Sequence, residues 1–158
     1  MDAAEYVHSV KEQLRAFDFV EEDDYRNPGM IDSCFYRCTD GVVNTTEEVV
    51  AIVRLTEADV ESVKEAIEAS KSFFEWKEDG GLEATNRRWT YALLILDSAS
   101  GPVRTAVKRM VGKFEGGFIL PVIATMDDEA LVYERPGKLK KVGNHKKVSE
   151  NAQKYFKP

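Results

Sequence analysis

The sequence of 158 residues contains only two cysteines, Cys34 and Cys38, and no long apolar segment. Two cysteines are too few for the disulfide framework of a small secreted domain. No run approaches the roughly 18 apolar residues that span a bilayer, and the first residues lack the basic and apolar regions of a signal peptide. We therefore expect a cytoplasmic, soluble protein with no membrane partner.

The remaining composition is that of an ordinary globular protein, with 43% hydrophobic and 32% charged residues. This mixture excludes the disordered, collagen-like and low-complexity classes. A chain of this length is expected to form one domain that buries about two thirds of its surface without a metal or a disulfide. We expect a single αβ domain over residues 1–134 and a basic C-terminal tail over residues 135–158, in which a short helix could form.

The net charge of −6 is distributed unevenly along the chain. Residues 1–86 carry a net charge of −13, residues 87–134 carry none, and residues 135–158 carry +7. Such asymmetry indicates a charged partner. One candidate is the protein itself: the tail could lie against the acidic half of its own chain or of a second copy. The second case would make this a self-associating interaction protein, a homo-oligomer.

The other candidate partner is a nucleic acid, DNA or RNA, because clustered lysines neutralise phosphates in a salt-dependent manner. The candidate nucleic-acid-binding residues in the tail are Lys138, Lys140, Lys141, Lys146 and Lys147.

The apolar residues recur with helical spacing in four segments and form strand-like runs in five or six others. Helices are predicted over 3–17, 57–76, 102–114 and 147–156, and strands over 17–22, 31–39, 48–55, 118–126 and 130–133, with a further strand over 89–96. The predicted fold class is α/β, with α+β as the alternative: a mixed β-sheet flanked by helices in the order α-(β)-β-β-α-β-α-β-β-α. Pro121 removes a ladder donor, so its strand is expected to lie at an edge or to contain a break.

The order helix, strand, strand, strand, helix, strand resembles the core of the restriction-endonuclease-like superfamily, the PD-(D/E)XK nucleases. The resemblance implies an Asp near the start of the second strand and a Glu-x-Lys on the third, which bind a divalent metal beside a scissile phosphate. Asp32 occupies the place of the Asp, and the strand Val49–Arg54 occupies that of Glu-x-Lys. Ile52 stands where the Glu would be, and Arg54 where the Lys would be.

The resemblance therefore implies a nucleic-acid-associated protein with a degenerate, inactive nuclease-like core, and whether the protein is an enzyme at all stays open. Asp32 and Arg54 are the candidate catalytic residues, and Mg²⁺ is an expected cofactor only if the core is active. The alternative for Asp32 is a turn carboxylate, and for Arg54 a solvated strand end. A literal Glu-x-Lys at Glu75–Lys77 falls at the end of a predicted helix and is interpreted as surface charge.

A third hypothesis is a small-molecule enzyme with its site after the strand that ends at Asp97. A carboxylate at a strand end, followed by a turn into a helix, is where α/β proteins often bind ligands. The candidate ligand-binding residues are Asp97, Ser98, Ser100 and Arg104. The alternative is that Ser98 or Ser100 caps the following helix. No set of metal ligands can be assigned, and both cysteines are expected to be buried, inert thiols.

Overall fold

The computed structural model describes residues 1–25, 29–56, 58–77, 87–137 and 143–158. Five helices and seven strands occur in these ranges. The helices are α1 (Ala3–Ala16), α2 (Val60–Ser70), α3 (Phe73–Trp76), α4 (Gly101–Arg109) and α5 (Asn144–Phe156). The strands are β1 (Val20–Glu21), β2 (Ser33–Asp40), β3 (Thr45–Arg54), β4 (Arg87–Leu96), β5 (Gly112–Phe114), β6 (Gly117–Thr125) and β7 (Ala130–Val132). The predicted α/β class and its element order are confirmed.

One mixed sheet connects all seven strands in the order β1-β2-β3-β4-β6-β5, and β7 also pairs with β6. The first three strands form an antiparallel meander, whereas β3, β4 and β6 are parallel to one another. Parallel neighbours require a crossover, and α2 and α4 supply the two crossovers. The central strands β3, β4 and β6 are buried over almost their whole length, which explains their nearly continuous apolar sequences.

The sheet separates two apolar cores. On one face, Tyr6 and Leu14 of α1 and Val148 and Phe156 of α5 are buried against the sheet. The other face is covered by α2, α3 and α4, whose buried side chains include Ile67. Because successive strand residues point to opposite faces, each central strand contributes to both cores in alternation. The result is three layers, α/β/α, with both crossover helices in the same outer layer.

Two predicted helices are shorter in the structure than in the sequence analysis. The segment predicted as one helix over 57–76 forms α2 and the single turn α3, and the cap is Asp59, whose Oδ1 accepts a bond from the Ser62 amide at 2.8 Å. The helix predicted to reach Phe114 ends at Arg109, because the chain turns at Gly112, with φ of 148°, into strand β5. The helical spacing of Val111 and Phe114 in the sequence therefore predicted an end of the helix that is wrong.

Pro121 lies at a break in the hydrogen-bond ladder. On the side of β6 away from β4, β5 pairs with residues 117–119 and β7 pairs with residues 123–125. Pro121 falls between these two ladders, as expected for a residue with no amide hydrogen. The sequence-based expectation of a break is confirmed.

The last helix was predicted over about 147–156 and forms over Asn144–Phe156. Val148, Ala152, Tyr155 and Phe156 are buried in the same core as α1. The helix of the basic tail therefore packs into the core of residues 1–134. No helix in the described ranges is long and apolar enough to cross a membrane.

We expect Gly117→Ala to destabilise the protein by about 1–3 kcal/mol. The φ of Gly117 is 140°, and a Cβ atom there would lie 2.3 Å from the carbonyl oxygen of Arg88. Gly101→Ala is the matched control, because a Cβ at Gly101 meets no atom within 4 Å. Urea unfolding of the two variants should show a loss only for Gly117→Ala; equal stabilities would contradict the steric argument.

Candidate nucleic-acid interface

A buried carboxylate attaches α5 to the sheet. Glu48 of β3 is only 1% exposed. Its Oε1 accepts hydrogen bonds from the hydroxyls of Tyr91 at 2.8 Å and Tyr155 at 3.1 Å, and from Asn151 Nδ2 at 3.2 Å. Asn151 and Tyr155 belong to α5, so one oxygen atom joins this helix to two strands.

The other oxygen of Glu48 is occupied by an arginine from the neighbouring strand. Arg37 of β2 donates to Glu48 Oε2 through Nε at 2.9 Å and also through Nη2. The same guanidinium donates to the Tyr155 hydroxyl at 2.6 Å and to the carbonyl of Phe17 at 2.9 Å. A buried charge is tolerated only when it is paired and its hydrogen bonds are satisfied, and both oxygens of Glu48 meet that condition.

The tyrosine hydroxyls of this network stay protonated at neutral pH. Burial raises the pKa of Tyr91 and of Tyr155 well above the usual value, and the negative charge of Glu48 raises both further. A protonated hydroxyl can donate to a carboxylate, whereas a phenolate would repel it. The network is thus a set of donors around one fixed acceptor, a geometry suited to holding α5 in place.

The first turn of α5 lies beside the start of β4. The indole Nε1 of Trp89 donates to Oδ1 of Asn144 at 3.0 Å, and the rings of Phe118 and His145 are 6.1 Å apart. The guanidinium of Arg87 lies over the Trp89 ring at 5.3 Å. These contacts bring the exposed Arg87 to the end of α5 that carries Lys146 and Lys147.

Arg135 precedes α5 and lies on the same side of the sheet. Its guanidinium is 5.4 Å from the centre of the Tyr133 ring, and the Tyr133 hydroxyl accepts a bond of 2.6 Å from Gln153 of α5. We call Arg87, Arg135, Lys146 and Lys147 the α5 basic surface. The nearby Glu150 pairs with Lys146 at 3.8 Å, and both side chains are more than two-fifths exposed, so this surface pair contributes little.

No described acid of residues 1–86 forms an ion pair with a lysine of α5. Within the described residues, the ion pair of Lys146 with Glu150 is the only one that involves residues 135–158, and none joins them to residues 1–86. The helix is held by Glu48, by apolar packing and by hydrogen bonds such as that from Tyr6 to the carbonyl of Phe156 at 2.5 Å. Attachment and surface charge are therefore carried by different residues.

Two of the five lysines predicted to bind nucleic acid lie in the described part of the chain. Lys146 and Lys147 lie on the α5 basic surface, whereas Lys138, Lys140 and Lys141 fall outside the described residues. Arg87 was not predicted as part of this surface, because it lies 59 residues before Lys146 along the chain. The sequence feature that could have indicated Arg87 is the position of this arginine two residues before Trp89, at the start of a buried strand.

Asp32 and Arg54, the candidate catalytic residues, lie next to each other but do not form a side-chain pair in the structure. Asp32 Oδ2 accepts a hydrogen bond of 2.6 Å from the backbone amide of Arg54, and both side chains are exposed. The carboxylate thereby extends the ladder between β2 and β3 by one bond. Ile52, in the place of the metal-binding Glu, is fully buried in the core.

Within the described residues, no three His, Cys, Asp or Glu side chains lie close enough together to hold a metal ion. The neighbourhood of Asp32 is included in this statement. A single carboxylate supplies too few ligands for Mg²⁺, which prefers several oxygen ligands. The donor set in the described part of the chain does not fit a metal-dependent nuclease centre.

The candidate ligand residues after β4 serve the start of α4. Ser100 is the N-cap, whose Oγ accepts from the Val103 amide at 3.4 Å, and Arg104 Nε donates to the carbonyl of Ala99 at 2.9 Å. Asp97 and Ser98 are exposed. The clefts described for this structure are formed by other residues.

The topology explains this arrangement. In open α/β sheets, a ligand crevice forms where the strand order reverses and adjacent crossovers lie on opposite faces. Here β3, β4 and β6 follow one another in a single direction, and α2 and α4 lie on the same face. The carboxyl ends of these strands therefore meet at no reversal point.

The two cysteines differ in environment. Cys34 is buried, as expected, but Cys38 is exposed, which corrects the expectation for that residue. Burial raises the pKa of the Cys34 thiol to about 12, and the negative charge of Glu22 adds to the shift.

Comparison with protein-family models, with curated proteins and with solved structures finds no match for this chain. Its function must therefore be argued from its own residues.

We expect Glu48→Gln to destabilise the protein by about 3 kcal/mol, because the partly buried Arg37 would keep its charge and lose its carboxylate partner. Glu12→Gln is the control: Glu12 also pairs with an arginine, Arg15, but its side chain is 60% exposed, and the loss should stay below about 1 kcal/mol. Urea unfolding measures both. Similar losses in the two variants would show that burial of the Glu48 pair has no special role.

We expect iodoacetamide to alkylate the exposed Cys38 and to leave the buried Cys34 unmodified in the folded protein at about pH 8.5. Unfolding exposes Cys34 and lowers the pKa of its thiol, so the unfolded chain releases a proton that the folded chain keeps. The free energy of unfolding should therefore decrease as the pH rises above about 8.5. Mass spectrometry of the peptides with and without denaturant measures the labelling. Equal alkylation of both cysteines in the native protein would contradict the buried position of Cys34.

Proposed function

We propose that the protein binds nucleic acid through the α5 basic surface. The observation that carries this proposal is the position of Arg87 beside the first turn of α5, fixed by the bond between Trp89 and Asn144. Cations from three separate parts of the chain thus occupy one side of the molecule. Their spread across a strand, a loop and a helix suits contacts to successive phosphates.

The electrostatics of α5 support an anionic partner. The helix has thirteen residues, its N-cap residue is Gly143, which provides no side-chain cap, and its first turn carries no acid. Lysines are unfavourable there, because the amino end of a helix carries a partial positive charge. A bound phosphate would relieve this repulsion and complement both the helix end and Lys146 and Lys147.

The proposed activity is binding without cleavage. Support comes from the residues that stand at the nuclease-like positions: Ile52 offers no ligand atom, and Asp32 uses an oxygen atom to accept the Arg54 amide. The resemblance to the restriction-endonuclease-like superfamily remains a proposal about element order. Self-association through the tail and the acidic half stays a prediction.

The expected result is salt-dependent binding of DNA or RNA that weakens in the double variant Arg87→Gln/Lys147→Gln. Each lost phosphate contact should lower the slope of log affinity against log salt concentration by about 1. Fluorescence anisotropy with labelled single- and double-stranded oligonucleotides, over a range of salt concentrations, measures this slope. Adding Mg²⁺ should produce no cleavage products.

The matched control is Lys108→Gln/Arg109→Gln, which removes the same charge from exposed positions on α4, in the opposite helix layer. This variant should bind like the unaltered protein. No binding at low salt, or an equal loss in both variants, would contradict an interface at α5.

A further inference from the structure

A cleft of about 400 Å³ lies on the other face of the sheet, between the end of α2, the single turn α3 and the hairpin of β5 and β6. Phe74 and Phe114 contribute to its lining. Its volume falls at the lower end of the range of small-molecule sites, about 300–1,000 Å³. The cleft is thus large enough for a small metabolite and is separate from the α5 basic surface.

A nearly buried arginine lines this cleft. The side chain of Arg88 is 9% exposed, and its guanidinium lies 5.1 Å from the centre of the Phe74 ring. Its Nε donates to Glu47 Oε2 at 2.8 Å, and Tyr36 donates to the other oxygen of Glu47 at 2.7 Å. Within the described residues, Nε is the only side-chain nitrogen of Arg88 with a hydrogen-bond acceptor, although a guanidinium has five N–H donors. Its terminal nitrogens are therefore suited to a planar carboxylate.

Carboxylates also line the cleft. Glu75 and Glu115 are exposed, and no described cation forms an ion pair with either. The remaining acid, Glu68, is paired with Lys71 at 2.8 Å, and the Lys71 ammonium lies 5.7 Å from the centre of the Phe114 ring. Acids thus outnumber bases in the lining, three to two, which disfavours a polyanion such as a nucleic acid.

We propose that the cleft binds an α-amino acid with an apolar side chain. The carboxylate of the ligand pairs with Arg88, its ammonium group pairs with Glu75 and Glu115, and its side chain packs against Phe74 and Phe114. A zwitterion matches a lining with both signs of charge. A simple acid leaves Glu75 and Glu115 unpaired, and a simple amine leaves the terminal nitrogens of Arg88 without an acceptor, although Nε stays bonded to Glu47.

The two binding surfaces should act independently. Arg87 and Arg88 are successive residues of β4 and point to opposite faces of the sheet. Loss of nucleic-acid binding therefore leaves this proposal intact, and failure of the cleft to bind an amino acid leaves the proposed function intact.

The test is to titrate the full chain with L-phenylalanine and with L-leucine. Calorimetry measures the affinity, and NMR chemical-shift changes of the backbone amides locate the binding site. We expect binding of at least one of them, with shifts centred on α3 and the β5–β6 hairpin. The two truncated analogues, 3-phenylpropanoate and 2-phenylethylamine, should each bind about tenfold more weakly than L-phenylalanine, because each lacks one charged group. No binding of either amino acid at millimolar concentration, or equal binding of all the aromatic ligands, would overturn the proposal.

The variant Glu75→Gln/Glu115→Gln alters only exposed side chains, so its folding should be preserved. We expect it to lose about tenfold in affinity for the amino acid and to bind 3-phenylpropanoate no more weakly than before. The control Glu61→Gln/Glu65→Gln makes the same change at exposed positions of α2 outside the cleft and should leave both affinities unaltered. An equal loss in the two double variants would show that only the overall charge matters, and would overturn the assignment of the ammonium site.

Discussion

The position of the last helix depends on one buried carboxylate. Glu48 receives donors from β2, β4 and α5, so it fixes the layer that α5 forms with α1. A charge in the core costs free energy, and replacement of such a network by apolar side chains is often neutral for stability. The network instead determines the orientation of α5. Asn151 and Tyr155 reach Glu48 only when the helix has one particular rotation about its axis and one particular position along it. The same rotation presents Lys147 to solvent, so the arrangement of surface cations follows from a contact in the core.

The topology of the sheet determines where binding surfaces can form. Because the two crossover helices lie on one face, the carboxyl ends of β3, β4 and β6 do not meet at a reversal of strand order. Ser100, which follows β4, caps α4 instead. Both surfaces argued above lie near the opposite end of the sheet, where β4 begins. There Arg87 and Arg88 serve the two faces separately, one among the cations around α5 and the other in a cleft with aromatic walls.

Much of the fold could be predicted from the sequence, because its dominant signals are local. The β-branched run before Leu55 and the apolar run after Trp89 indicate central strands whatever surrounds them. The errors fall where a distant contact overrides a local pattern: Phe114 continues a helical stripe in the sequence but belongs to a strand, since Gly112 and Gly117 allow a hairpin against β6. The candidate sites were less predictable for the same reason. Arg87 and Lys147 come to the same side of the molecule only through the packing of α5. Nothing in the sequence distinguishes Glu48 from the neighbouring Glu47, whose carboxylate lies on the other face of the sheet and pairs with Arg88.

Pro121 has a consequence for the behaviour of the protein at high concentration. The outer side of β6 would otherwise present a row of amides and carbonyls nine residues long, a template for pairing with a strand from another molecule. The chain instead covers that side with two strands of three residues each and places between them a residue that has no amide hydrogen. An incoming strand would find no continuous ladder there. We therefore expect this side of the sheet to resist amyloid-like growth, because Pro121 lies where neither β5 nor β7 pairs with β6.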